Sequence, residues 1–185
     1  MNFATIKFYD ISNGPGVRTS LYVSGCTHHC RNCFNPMTWD FAYGESFTRA
    51  TEDRLLESCT PGYISGITLL GGEPMEPENQ RALLPFLRRF REACPGKTVW
   101  CYSGYTYEEL TGACETRCRC EATDALLSLL DVLVDGEFVQ ALYDISLRFR
   151  GSSNQRLIDM HLSLAQGQVV PWSDDPLFAS HALRD

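Results

Sequence analysis

Thr19-Ser20-Leu21-Tyr22-Val23-Ser24-Gly25 runs straight into Cys26-Thr27-His28-His29-Cys30-Arg31-Asn32-Cys33. Residues 18–24 read as a strand, and the glycine after them releases the chain into a loop that carries three cysteines in CX3CX2C spacing. Ile64-Ser65-Gly66-Ile67-Thr68-Leu69-Leu70 repeats the arrangement as a buried strand whose exit is Gly71-Gly72-Glu73-Pro74. Two such strands deliver both loops to the carboxyl edge of one sheet, which is where α/β folds bind their ligands.

Outward from this pair, strand-like runs alternate with helix-like runs, predicting an α/β fold with a mostly parallel sheet covered by helices. Residues 6–11 read as an extended start, and Asn13-Gly14-Pro15-Gly16 as a turn or binding loop. Residues 48–59 have a helical pattern stopped by Thr60-Pro61-Gly62. Residues 76–94 follow suit with Leu83, Leu84, Leu87 and Phe90 inward, Pro85 expected to kink or restart the helix and Gly96 to end it. Residues 99–102 form the next strand, Thr106-Tyr107-Glu108-Glu109 fits a capping box, and a helix over 124–130 leads into a strand over 131–135 and a turn at Gly136. Beyond Gln155 the polar-apolar rhythm weakens. The expected catalytic domain is therefore residues 1–155, with 156–185 an extension and 171–185 a poorly ordered tail.

With 185 residues, 44% of them apolar, the chain can bury one sizeable core but not two full domains. Sixteen basic against 23 acidic residues give a net charge of -7, which offers nucleic acid no electrostatic footprint. Neither a basic amphipathic stretch nor a spanning apolar run suggests a membrane, and the first residues show no charged leader, so a cytoplasmic location is expected. Nine cysteines, clustered and odd in number, suit metal ligation in a reducing compartment better than disulfides.

Three thiolates can hold three irons of a cubic 4Fe-4S cluster and leave the fourth open to a ligand, whereas electron-transfer clusters are usually closed by a fourth cysteine. Such an open cluster is easily destroyed by oxygen, which points to anaerobic operation. Glycines at a strand end let backbone approach a small ligand, and an adjacent acid such as Glu73 can pair with an ammonium group. The competing reading is a zinc-stabilised interaction module, with Cys26, Cys30 and Cys33 completed by His28 or His29. Zinc ligands usually come as two separated pairs, and a zinc module has no use for a glycine pair at a distant strand end.

The cysteine spacing resembles that of the radical S-adenosylmethionine superfamily, in which the open iron is chelated by the amino and carboxylate groups of S-adenosylmethionine. The order of segments resembles one branch of it, the activating proteins of anaerobic (class III) ribonucleoside-triphosphate reductases. The resemblance covers residues 10–155 and rests on Asn13-Gly14-Pro15-Gly16 with Arg18, Val23-Ser24-Gly25-Cys26, the three cysteines, Gly71-Gly72-Glu73-Pro74, Cys94-Pro95-Gly96-Lys97, Val134-Asp135-Gly136-Glu137-Phe138-Val139 and Arg150-Gly151-Ser152-Ser153-Asn154-Gln155. It implies a partial (β/α) barrel, with Cys26, Cys30 and Cys33 as the catalytic iron ligands. It further implies that Gly71, Gly72 and Glu73 hold the methionyl end of S-adenosylmethionine, and that Asn32, Cys33 and Phe34 meet its adenosyl group. The implied partners are the glycine loop of the large reductase subunit, which receives a glycyl radical, and a flavodoxin or ferredoxin as electron donor. Alternatives within the superfamily are activation of a formate-lyase type enzyme or attack on a small molecule.

This sequence departs from the family pattern in three places. Asn32 stands where an aromatic residue or glycine is usual, Glu73 stands where aspartate is frequent, and Ala113-Cys114-Glu115-Thr116-Arg117-Cys118-Arg119-Cys120 is an insert. The insert reads either as a second metal site, with Cys101, or as a loop of free thiols. Arg18 is expected to dock a partner, support the cofactor or sit on a surface turn; Asp135 to cap a turn or touch cofactor; His28 and His29 to shield the cluster. Tyr102, Tyr105 and Tyr107 either line the radical's cavity or pack in the core, and Arg150 reads as part of a polar turn at the reductase interface.

Overall fold

The computed structural model describes residues 1–174. The strand that carries the cysteines, β2 (Val17–Val23), lies parallel to β4 (Ile64–Gly71) with Arg18 opposite Gly66 and Val23 opposite Gly71. Both glycine exits therefore leave the same edge, as expected. β5 (Thr98–Tyr102) and β6 (Val132–Asp135) extend the parallel stretch. On the near side β1 (Asn2–Asp10) pairs antiparallel with β2, because residues 11–16 are too few for a parallel crossover, and the two-residue β3 (Glu45–Ser46) lies on its outer edge. On the far side β7 (Arg156–Asp159) returns antiparallel to β6. The result is one mixed seven-stranded sheet in the order β3-β1-β2-β4-β5-β6-β7, parallel in its middle and open, not the closed wall of a barrel.

Side chains alternate between the two faces of this sheet. Leu21, Val23, Ile67, Leu69, Val99 and Leu133 point into the main core. There they meet α1 (Arg49–Cys59) through Leu55, α2 (Pro77–Ala93) through Leu83, Phe86, Leu87 and Phe90, α3 (Tyr107–Thr111) through Leu110, and α4 (Thr123–Leu127) through Leu126. Thr48 and Thr106 cap α1 and α3, each within a capping box. Pro85 does not restart α2, which runs as one helix through it. It and Arg81, whose carbonyl it deprives of a partner, are both exposed, so water can take the bond while the buried face holds the helix together.

The opposite face carries Tyr22, Leu70, Trp100 and Tyr102, and Arg18 lies beneath it with no exposed surface. Burial rules out the surface turn and the partner-docking surface expected of Arg18. Its guanidinium donates from Nε to Thr68 Oγ1 (2.7 Å), from Nη1 to Thr98 Oγ1 (2.9 Å), and from Nη2 to the carbonyls of Ile67 (2.8 Å) and Thr98 (3.1 Å), with the Trp100 ring 5.5 Å away. A side chain added at Gly14 would meet Arg18 at 2.8 Å, so the glycine here serves the buried arginine and not a ligand.

The sheet also runs past the boundary expected at residue 155. β7 and α5 (Met160–Gln166) follow it, α5 capped by Asp159 at its start and by left-handed Gly167 at its end. Of the expected loose tail, Trp172 donates its backbone N–H to Leu157 O (2.8 Å) and sets its ring 4.9 Å from Trp100; residues 175–185 lie outside the described residues.

Gly66 has the tightest setting in the sheet, where an added Cβ would lie 1.9 Å from the carbonyl oxygen of Thr98. Gly66→Ala is expected to prise β4 from β5 and cost about 3 kcal/mol, the upper range for overpacking, read as a lowered denaturant midpoint.

Candidate metal centre

At the carboxyl edge of β2, β4 and β5 lies a cavity of about 510 Å³ whose wall includes Cys26, Cys30 and Cys33. The cysteine loop is shaped by its own backbone. Gly25 N donates to Thr38 O (2.8 Å) and Cys26 N to Trp39 O (3.2 Å), so the turn Pro36–Trp39 folds back onto the end of β2. His29 (φ 53°) and Asn32 (φ 58°) adopt the left-handed conformation, which bends the loop twice and turns the thiols inward. Asn32 tolerates that conformation better than most residues. It is exposed and absent from the cavity wall, so its visible role is in the backbone and not in stacking.

The donor set fits an iron-sulfur cluster. All three thiols are free of disulfides and face one chamber of ligand-binding size. Burial pushes the Cys26 thiol up to about 12 and raises that of Cys30 as well, so both are protonated at neutral pH and taking up iron releases protons. Among the described residues no three His, Cys, Asp or Glu side chains converge closely enough for a single metal ion. The histidines that a zinc site requires are engaged elsewhere: His29 stacks on Trp39 with ring centres 4.7 Å apart, and His28 turns to Glu137 (Nδ1 to Oε1, 2.6 Å).

The glycine-rich loop interlocks with the cysteine loop. Gly72 N donates to Val23 O and Glu73 N to Gly25 O, both at 2.8 Å. A side chain at Gly72 would meet Gly25 O at 2.6 Å, and one at Gly71 (φ 112°) would meet the backbone of Tyr22 and Val23 at 2.8 Å. Contact between the two loops thus explains both glycines without invoking a ligand.

Glu73 is 1% exposed, and its carboxylate is already occupied. Oε1 accepts from Met75 N and Ser103 Oγ (both 2.8 Å) and Oε2 from Gly104 N (2.6 Å). His28 Nε2 approaches Oε2 to 3.2 Å without hydrogen-bond geometry, making this an ionic contact. Burial by itself lowers the His28 pKa, but Glu73 and Glu137 together outweigh it and raise it above the ordinary range. Only the remaining lone pairs of Glu73 are open to a ligand.

The other candidates separate by position. Phe34 lines the cavity, 68% exposed, with Phe138 (5.1 Å) and Tyr143 (6.1 Å) beside it as an aromatic lip. Tyr102 lines the cavity, while Tyr105 and Tyr107 pack in the core. Asp135 accepts from Tyr107 N (2.7 Å) at the start of α3 and pairs with Arg156 (2.5 Å), the capping role. Arg150 donates to Gln155 O (2.7 Å) within a turn whose Asn154 and Gln155 side chains hold the carbonyls of Glu137 and Gly136. In the insert, Cys114 is exposed, Cys118 is fully buried against Thr116, and Cys120 lies near Gln80 Oε1 (3.5 Å). Sequence reasoning gave Glu76 and Glu137 no role of their own and read Tyr105 only as cavity wall or core, yet the three hold Thr27 and His28 from three other segments.

No helix among the described residues is long and apolar enough to cross a membrane. Residues 12–158 match the model of a 4Fe-4S single cluster domain. The chain is 43% identical over 157 residues to the anaerobic ribonucleoside-triphosphate reductase-activating protein of Escherichia coli (strain K12), covering 84% of this chain and 96% of that one. It is 40% identical, with the same coverage, to the protein of that name from Vibrio cholerae, and 34% identical over 85% of this chain and 93% of the other to the one from Enterobacteria phage T4. No solved structure matches the chain. With a cluster-domain match across most of its length and relatives of this closeness, the chain belongs to the family of anaerobic ribonucleoside-triphosphate reductase-activating proteins.

Proposed function

We propose that this protein is the activating enzyme of an anaerobic ribonucleoside-triphosphate reductase, installing a glycyl radical in the large subunit. The observation that carries the reading is the trio of unpaired thiols around one chamber in a chain of this family. Cys26, Cys30 and Cys33 are the residues that hold a 4Fe-4S cluster. Gly71, Gly72 and Glu73 hold the methionyl end of S-adenosylmethionine, mainly through backbone, since the Glu73 carboxylate is taken up by Met75, Ser103 and Gly104. When bound, the two cofactors supply reductive cleavage of a carbon-sulfur bond, giving methionine and the 5'-deoxyadenosyl radical that removes a hydrogen atom from glycine.

The chain's own contribution is placement and exclusion. Phe34 stacks beside the adenosyl group at the lip, and Cys33 brings backbone near it, while Tyr22, Leu70 and Tyr102 give the chamber an aromatic and apolar floor that sheds water. The four central parallel strands act as the part of a (β/α) barrel that this chemistry needs, in a domain that includes β7 and α5. The open side suits a protein substrate. Phe34 and, beside it, Tyr143 (6.1 Å) are exposed apolar side chains at the mouth, the surface character expected where another chain docks. A flavodoxin or ferredoxin in the cytoplasm is the proposed electron source.

The test combines anaerobically reconstituted protein, S-adenosylmethionine, a reductant and either the reductase large subunit or a formate lyase. A glycyl-radical resonance with the reductase, accompanied by deoxyadenosine, is expected. A signal with the lyase alone overturns the choice of partner, and absence of deoxyadenosine overturns the chemistry.

A further inference from the structure

The thiols of the cysteine-rich insert are spread between surface and core, yet the insert is tightly held. Cys118 is fully buried in the main core, and its carbonyl accepts from Gln80 Nε2 (2.7 Å) on α2. Gln80 Oε1 in turn accepts from Thr123 Oγ1 (2.7 Å) and faces Cys120 Sγ (3.5 Å). Arg119 donates to Leu110 O (2.5 Å) at the end of α3. Arg117 immediately precedes these anchors, between Cys118 and Thr116, whose hydroxyl accepts from Cys118 N (3.2 Å).

Arg117 donates from Nε to the Tyr105 hydroxyl (3.0 Å), and its guanidinium carbon lies 5.6 Å from the centre of that ring. Tyr105 is 2% exposed, and burial pushes its phenol up to about 12, so it remains a donor and passes its hydrogen to Glu76 Oε1 (3.3 Å). The same oxygen, on a side chain buried at the start of α2, accepts from Thr27 N (2.9 Å) and Thr27 Oγ1 (2.6 Å). His28 sets its ring 4.3 Å from that of Tyr105. One cation therefore supports, through one phenol, the two residues that follow Cys26. The buried Glu76 carboxylate otherwise has only neutral donors around it, and Arg117 is the positive charge that balances it at one remove.

We infer that the insert is a brace for the cysteine loop, with Arg117 as its positioning residue acting through Tyr105 and Glu76 on Thr27 and His28. The meaning of the brace for cluster chemistry rests on the function proposed above, whereas its existence does not. Cys118 and Cys120 contribute packing and polar anchoring, which accounts for them without a second metal.

The experiment compares the full chain with its Arg117→Ala, Arg117→Lys and Tyr105→Phe variants, before and after anaerobic cluster reconstitution. Hydrogen exchange of the cluster-free chain reads the brace directly. Arg117→Ala and Tyr105→Phe are expected to speed exchange of the Thr27 amide about tenfold, the scale of one lost charge-assisted bond, while β5 and α2 and the unfolding midpoint stay unchanged. Arg117→Lys, which keeps the charge but not the planar donor, is expected to recover part of the protection. In the reconstituted and reduced Arg117→Ala variant, the electron paramagnetic resonance line shape of the cluster is expected to broaden as the loop samples more geometries. Unchanged exchange at Thr27 in both Arg117→Ala and Tyr105→Phe overturns the brace. So does acceleration spread evenly over α2 and β5 with a lowered midpoint, which is general loosening. Failure of S-adenosylmethionine cleavage in every form, with the local exchange effect intact, counts against the proposed function and leaves the brace standing.

Discussion

Cys30→Ala, purified and reconstituted without oxygen, is expected to lose the brown colour of the parent and to release at least about a hundredfold less deoxyadenosine, since losing even an outer-shell partner of a metal site costs up to that much. Cys30 sits between two left-handed turns, and its carbonyl also accepts from Cys33 N (3.1 Å), so the loop's backbone sets where its sulfur points. Of the loop's histidines, His28 turns Nδ1 to Glu137 and the His29 ring lies against Trp39. Cys114→Ala serves as the contrast. Its thiol is exposed in the insert, and iron content and turnover are expected to match the parent. Equal iron in the Cys30 and Cys114 variants would remove Cys30 from the ligand set.

Arg18→Met is expected to produce the largest loss of stability for a single polar side chain. Two terms oppose each other. Burial pulls the guanidinium pKa from 12.5 to about 10, a cost of about 3 kcal/mol that the apolar side chain recovers. Against it stand four hydrogen bonds to Thr68, Thr98 and Ile67, each charge-assisted and worth about 1.5 to 3 kcal/mol. The bonds win, by about 3 kcal/mol or more, which for a chain of this length lowers the unfolding midpoint by roughly 6 to 12 °C. Arg18→Lys retains charge but cannot reach both threonines and both carbonyls from one ammonium, and an intermediate midpoint is expected. Thermal unfolding followed by circular dichroism measures all three, and a midpoint for the methionine variant equal to that of the parent would show that the buried charge contributes nothing net.

The features legible in the sequence were those written locally. The two strands ending in glycine placed Cys26, Cys30, Cys33 and Gly71-Gly72-Glu73 at one edge, because strand direction and exit residue suffice to do so. Thr48 and Thr106 announced their helices through side chains that reach only three residues ahead. What stayed hidden depends on partners far along the chain. Arg18 reads as a surface residue until Thr68 and Thr98 are known to lie against it, 50 and 80 positions away. Glu73 reads as a free acid until Met75, Ser103 and Gly104 fill it. β7 and α5 are too short for periodicity to register, although Asp159 and Gly167 did mark the ends of α5. Asn32 gave no sign in the sequence of the left-handed backbone that bends the cysteine loop, because that angle is set by the fold around it.

The interlock of the two loops is made of main chain. Gly25 to Thr38, Gly72 to Val23 and Glu73 to Gly25 are amide-to-carbonyl bonds, which a change of side chain removes only by bringing in proline or by crowding a glycine that has no room. Away from the crowded glycines, spelling can drift in this region while spacing cannot: an altered side chain there leaves the lattice of amides intact, but adding or deleting one residue between Gly25 and Thr38 throws every partner out of step. Lineages of this protein should accordingly tolerate substitution between the cysteines and almost never a change in their count of residues.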